Sequence, residues 1–312
     1  MALRLCRNKK LGQTEVSSSF ERKTHESKYI LHLHIAALLF GGTALFSKIL
    51  PYNAVDIIAF RTLVCGIIVG FIALLFKQGL IIKNLKRLTL LVLCSLLFTA
   101  HWTAYFQAMQ LSSVAIGIIS MFTFPVMTVF LEPLIKDTKL HAIDIVMAVL
   151  VILGVLLMVP SLSLNNDITA GIAFGLLSAL AVSIRNILVS KHLSQHISAF
   201  TIMTYHSLIS AAVLLPFVSI NVGDITGENW LLIILLGSVF TAIPHTQKTF
   251  ALKYASAKTV SMIVSLQVVY ASIFAFLLLN EKLELTTIIG GSLILFAAFY
   301  ESVWAKHEAT RY

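Results

Sequence analysis

Lys48, Arg61, Arg185 and Lys248 each stand inside a long apolar stretch of the sequence. A charge in such a place is expensive, which makes a functional role the first hypothesis for it. Arg61 is the most deeply placed, within VDIIAFRTLVCGII (55–68). At a helical rise of ~1.5 Å per residue it lies roughly 10 Å below the outer end of its helix. Its guanidinium stays protonated and forks, so it suits one of two tasks: tying a helix to a broken neighbour or closing a gate, or clasping a carboxylate through parallel N–H bonds. Lys48 and Arg185 lie nearer the ends of their runs, where each can either snorkel to a headgroup region or act as a gate. In FTAHWTAYFQAM (98–109), the i, i+3, i+4 spacing puts Phe98, His101, Trp102 and Tyr105 on one face. In TAIPHTQKTFAL (241–252), His245 and Lys248 share a face, and His206 adds a third titratable imidazole. Gln267 and Tyr270 complete the candidates for a substrate path. No Asp or Glu stands near the centre of an apolar run; Asp56, Glu132, Asp144, Glu281 and Glu301 all lie near ends. An interior with cations and no counter-carboxylate favours an anionic or zwitterionic solute.

The elements that must position these groups follow from composition. Of 312 residues, 58% are hydrophobic and only 12% charged, against about a quarter in soluble domains. Mean hydropathy is +0.91. Ten apolar runs are long enough to cross a bilayer as helices: roughly 30–50, 54–76, 88–110, 112–134, 141–160, 169–190, 198–220, 229–251, 257–280 and 284–305. The expected fold is therefore all-α integral membrane. The first 29 residues are polar and basic, and read as a disordered cytoplasmic tail. A net charge of +9 would suggest nucleic acid in a soluble protein. Here it follows the positive-inside rule. With both termini placed in the cytoplasm of an inner-membrane protein, Lys282 alone among the Lys and Arg residues outside the helices falls in an outer loop. Cys6, Cys65 and Cys94 are too few and scattered for a disulfide framework, and neither a metal nor a cofactor is expected.

The chain also carries an internal repeat. Phe106–Val126 aligns with Thr249–Val269, setting Ala108 on Ala251, Ser113 on Ser256 and Pro125 on Val268. Upstream, AFRTLV (59–64) falls on TYHSLI (204–209), which pairs Arg61 with His206. A repeat of five helices is odd, so the second copy enters the membrane inverted, a construction of secondary transporters that puts the site near the midplane. The expected organisation is a tail (1–29), a first repeat (30–160), an outer connector (161–168), a second repeat (169–305) and a cytoplasmic C-terminus (306–312). Inversion assigns the aromatic set of the third helix to the outer half and the cationic set of the eighth to the inner half. Pro125, Pro216 and Pro244 are candidate kinks, and Gly66-x-x-x-Gly70 and Gly171-x-x-x-Gly175 candidate close contacts.

The motifs ALLFGGTALFSK (37–48), IIAFRTLV (57–64), SMFTFPVMTVF (120–130), SAKTVSMIVSLQVVYASIFAFLLLNEKL (256–283) and IIGGSLILF (288–296) together resemble the ten-helix EamA branch of the drug/metabolite transporter superfamily. The likeness spans about residues 30–305. It departs at Phe40-Gly41-Gly42, where a Trp-Gly pair is usual, and at Val268, where a proline is usual, which puts a kink in the ninth helix in doubt. The resemblance implies a bundle that exports or exchanges small metabolites by alternating access. The small four-helix relatives use a membrane-embedded glutamate to bind cations, and this chain has no equivalent. An exporter of an amino acid or another carboxylate is the reading favoured here, with an uptake carrier, a channel-like facilitator or a structural membrane protein as alternatives. An enzyme is not expected, because His101, His206 and His245 fall on separate helices with neither HExxH nor paired carboxylates. The expected partners are a small-molecule substrate and the lipid bilayer, without nucleic acid, in a monomer or a dimer.

Overall fold

A computed structural model describes residues 29–112, 114–136, 139–157, 166–279 and 285–309. The expected tail apart from Tyr29, most of the 161–168 connector, Glu281, Lys282 and the side chains of Lys48 and Glu301 lie outside the described residues. Lipid offers a backbone no hydrogen bonds, so apolar spans must be helical. Among the described residues the ordered structure is all helical: five helices are long and apolar enough to cross a membrane, five more apolar helices are shorter, and together they make up the ten expected segments. The first is α1 (Tyr29–Thr43) with α2 (Phe46–Ile49). The second and third are α3 (Ala54–Leu75) and α4 (Leu85–Leu111); the fourth is α5 (Val114–Met121) with α6 (Phe124–Ile135), and the fifth α7 (Ala142–Leu157). The second half runs α8 (Asn166–Leu188), α9 (Ala199–Leu214), α10 (Gly227–Gly237) with α11 (Ile243–Ala251), α12 (Ala257–Val264) with α13 (Gln267–Leu279), and α14 (Leu285–Ala309).

Helix starts are written in the polar loops. The side chains of Asn53, Asn84, Ser198, Thr226 and Ser256 each accept from a backbone N–H of the turn they open. The packing then follows the repeat. The second span packs on the seventh and the fifth on the tenth, while the third lies against the sixth. The first meets the eighth through Phe46 and Phe240, whose rings are 5.2 Å apart. These are the pairings that a two-fold axis in the membrane plane generates from two inverted five-helix repeats. Glycines permit the close contacts: a Cβ on Gly66 would lie 2.5 Å from Leu208, and one on Gly171 2.6 Å from Ser112. Ile67 and Phe71, on another face of α3, are largely exposed and present apolar surface to lipid.

The fourth and ninth spans break at equivalent places. The alignment that sets Phe106 on Thr249 also sets Phe122 on Ser265 and Thr123 on Leu266, the residues at the two breaks. The break in the ninth span thus survives the loss of proline at 268. Ser265 Oγ donates to the Met262 carbonyl at 2.5 Å, and the backbone shifts to tighter bonds such as Leu266 N to Ile263 O at 3.2 Å. In the eighth span a π-turn at Ser238–Ala242 precedes Pro244 and absorbs its missing N–H. Pro216 instead sits in a short 3-10 turn that ends the seventh span, so it terminates a helix and does not kink one.

Candidate functional site

The repeat alignment makes Trp102 and His245 equivalents, and in the fold they touch: Trp102 Nε1–H donates to His245 Nε2 at 3.1 Å. Symmetry mates meet only at their axis, which lies in the membrane plane. The aromatic set of α4 and the cationic set of α11 therefore converge at one depth; they are not divided between outer and inner halves as inversion by itself suggested. Around this contact lies a cavity of about 40 Å³, room for a few waters. Its polar lining is Thr43, Arg61, His101, Trp102, Tyr105, His245, Lys248 and Gln267, and its apolar lining comes from Phe40, Met121, Phe124, Val182 and Val264. Seven of the expected substrate-path residues are in that wall. No carboxylate is. Val264 and Gln267 flank the break in the ninth span, and Met121 and Phe124 flank that in the fourth, so the breaks open directly onto the cavity.

Arg61 is buried, with its guanidinium carbon 5.1 Å from the Trp102 ring centroid and 4.9 Å from that of Phe106. Stacking on two rings positions the planar group while leaving its N–H edges available. Its Nε and Nη1 are buried and find no acceptor among the described residues. His245 adds a third such group. Its Nε2 accepts from Trp102, so the neutral ring carries its proton on Nδ1, and Nδ1 likewise is buried without a partner. Lys248 Nζ lies 5.7 Å from the Phe40 ring centroid and 5.6 Å from that of Phe98. His101 is held differently, its Nδ1 lying 2.8 Å from Ser178 Oγ and 3.2 Å from the Ser178 carbonyl.

Two further candidates belong to a separate cluster across Phe98. His206 Nδ1 lies 2.8 Å from Ser95 Oγ, and its Nε2 accepts from Arg185 Nε at 3.1 Å. Arg185 also donates from Nη1 to Asn186 Oδ1 and from Nη2 to Thr249 Oγ1, both at 3.1 Å, and packs 4.4 Å over Phe98. Arg185 is fully buried, so it does not snorkel. Its helix continues through a further turn, Val189–Leu193, and the guanidinium turns inward to bonds that sequence distance hides. Tyr270 does not line the cavity; it packs against Gly41, where an added Cβ would meet the Tyr270 Cβ at 2.7 Å. Phe98 was the hub that the sequence understated. Its ring centroid lies 4.1 Å from Trp102, 5.6 Å from His101, 5.2 Å from His206 and 5.0 Å from His245.

Polar seals, sets of hydrogen bonds between helices, stand near both ends. At one, Asp56 accepts from Ser219 N at 2.9 Å and from Ser219 Oγ at 3.0 Å, joining the second span to the loop after the seventh. At the other, the Glu132 carboxylate takes the first amides of α12, Ala257 N at 3.0 Å and Lys258 N at 2.7 Å, while Lys258 Nζ reaches Asp144 at 2.9 Å. Beside that second end is a larger cavity of about 380 Å³, lined by Gln78, Gln195, His196, Ser198, Thr249 and Lys253 among others.

Two inverted five-helix repeats, broken helices facing one another and a polar cavity at their axis define the class of membrane transporters built by internal duplication. The chain belongs to the EamA-like transporter family, which matches residues 27–159 and again 169–302. It is 25% identical over 259 residues to an uncharacterized transporter, YxxF, of Bacillus subtilis (strain 168), covering 81% of this chain and 82% of that one. An uncharacterized transporter of Archaeoglobus fulgidus is 27% identical over 194 residues, 62% of this chain and 68% of its own. One crystal structure superposes with a TM-score of 0.76 over 90% of this chain and 98% of its own, at 15% identity, a likeness of fold alone.

Proposed function

We propose that this membrane transporter is a secondary carrier that exports a small anionic or zwitterionic metabolite by alternating access, with both termini on the cytoplasmic side of the inner membrane. The observation that carries this reading is the axis cavity, lined by Arg61, Lys248 and His245 with no carboxylate in its wall among the described residues. A cation entering there would meet like charges at low dielectric. An anion would meet donors. The cavity holds only a few waters as it stands, and polar contacts tie the helices together near both ends of the bundle. That arrangement suits a carrier that must widen around its cargo, and it does not suit a continuous pore. The basic loops support the orientation.

The test is counterflow in proteoliposomes holding the purified full chain. Internal unlabelled solute should accelerate entry of labelled solute, and the rate should saturate. Linear, non-saturating flux without counterflow would replace the carrier by a channel-like facilitator. Uptake confined to organic cations would remove the charge argument.

A further inference from the structure

Building on that reading, we infer that the cargo is a small monocarboxylate with no ammonium group, its carboxylate held by Arg61 and His245 at the repeat axis. Three buried donors at this cavity find no acceptor among the described residues: Nε and Nη1 of Arg61 and Nδ1–H of His245. Orphaned buried donors are rare because each carries a desolvation penalty. These three belong to two side chains of one cavity wall, from opposite repeats. A carboxylate offers about four lone-pair directions to such a set, and its planar shape matches a guanidinium edge. Trp102 links the two, stacking under Arg61 and donating to His245 Nε2, which fixes the imidazole tautomer that presents Nδ1–H. Residues of both repeats thus close on one anion.

The same wall argues against a zwitterion. An α-ammonium sits next to its carboxylate and would need strong acceptors there. The lining supplies only neutral ones: Gln267, the Tyr105 phenol, the His101 imidazole and Thr43, whose hydroxyl already donates to backbone carbonyls of Leu39 and Phe240 at 3.3 and 3.1 Å. It also supplies a like charge, Lys248. The remaining wall is apolar, from Met121, Phe124, Val182 and Val264, and fits a short hydrocarbon body.

The test pairs acids that share a skeleton and differ only in oxo against ammonium: labelled pyruvate, 2-oxobutanoate and 4-methyl-2-oxopentanoate beside alanine, 2-aminobutanoate and leucine, each in counterflow with the reconstituted full chain. At least one oxo acid should move about tenfold faster than its amino partner, since an unpaired polar or charged group is strongly rejected. Arg61→Lys should raise the half-saturation concentration for that acid. A second measurement needs no variant: the acid should raise the melting temperature of the native protein, and its neutral amide should not. Amino acids carried as fast as the oxo acids, or faster, would overturn the monocarboxylate while leaving an anionic or zwitterionic carrier standing. If none of the six moved and only cations did, both would fall. Equal stabilisation by acid and amide would remove Arg61 as the carboxylate clamp.

Discussion

At the residue scale, two positively charged groups with the same chemistry have been given different work by their partners. Arg185 spends its donors on His206, Asn186 and Thr249, whereas Arg61 rests on rings with two nitrogens unpaired. Arg185→Lys keeps the charge and loses the fork, so at least two of those partners lose their bond. The expected result is a destabilisation of about 1–3 kcal/mol, read as a lower melting temperature in detergent, with substrate half-saturation little changed. A preserved melting temperature with altered affinity would move Arg185 into the transport path. His245 yields the pH prediction. Protonation of Nε2 turns an acceptor into a donor and breaks the bond from Trp102, beside Lys248, Arg61, His101 and Arg185 and the rings of Phe40 and Phe98. Native transport should therefore change on the acid side, where the ring gains its second proton and the contact to Trp102 is lost. His245→Gln can still accept from Trp102 but does not titrate, and should flatten that profile. An unaltered profile would assign the dependence to another group.

At the scale of elements, the half-helix α12 is the one that the seals single out. Its N-terminal amides are held by Glu132 of the fourth span, and its C-terminal end, at Val264, lines the cavity. A carboxylate there is favoured both by hydrogen bonds and by the positive end of the helix dipole. Glu132→Gln removes the charge while keeping the size, and leaves amides and Lys136 with a weaker acceptor. The seal should loosen by about 1–3 kcal/mol, which favours the state open at that end. A cysteine placed at Thr128, fully buried one turn along the same helix, should then react faster with a polar thiol reagent applied from the Glu132 side. Unchanged labelling would show that the seal does not hold the helix. The nearby breaks at Phe122–Thr123 and Ser265–Leu266 separate each of these spans into two half-helices.

At the scale of the molecule, orientation is the open quantity, and charge decides the expectation. With basic loops inside, Asn53 and Asn166 face outward. Single cysteines at those positions, after Cys6, Cys65 and Cys94 are replaced, should react with an impermeant reagent on intact cells. Reaction only after permeabilisation would invert the assignment. Cys65 requires a conservative replacement, since its Sγ accepts from Ser207 Oγ at 3.1 Å across the close α3–α9 contact.

Composition and run length determined the helical membrane class and the ten spans, and the internal alignment the inverted repeat, because lipid leaves an apolar chain few options and an odd repeat must invert. They also marked Arg61, His101, Trp102, Tyr105, His245, Lys248 and Gln267, since buried polar groups stand out against an apolar background. Tertiary structure decided which of these share a wall. It sent Arg185 and His206 to their own cluster and Tyr270 to a helix contact, made Phe98 a hub, and broke the ninth span without proline. Each of those outcomes rests on contacts between residues far apart in the chain, such as Trp102 with His245 or Arg185 with Thr249. Local spacing carries the face of a helix but not its rotation toward a neighbour, and that rotation is set by packing across the repeat axis.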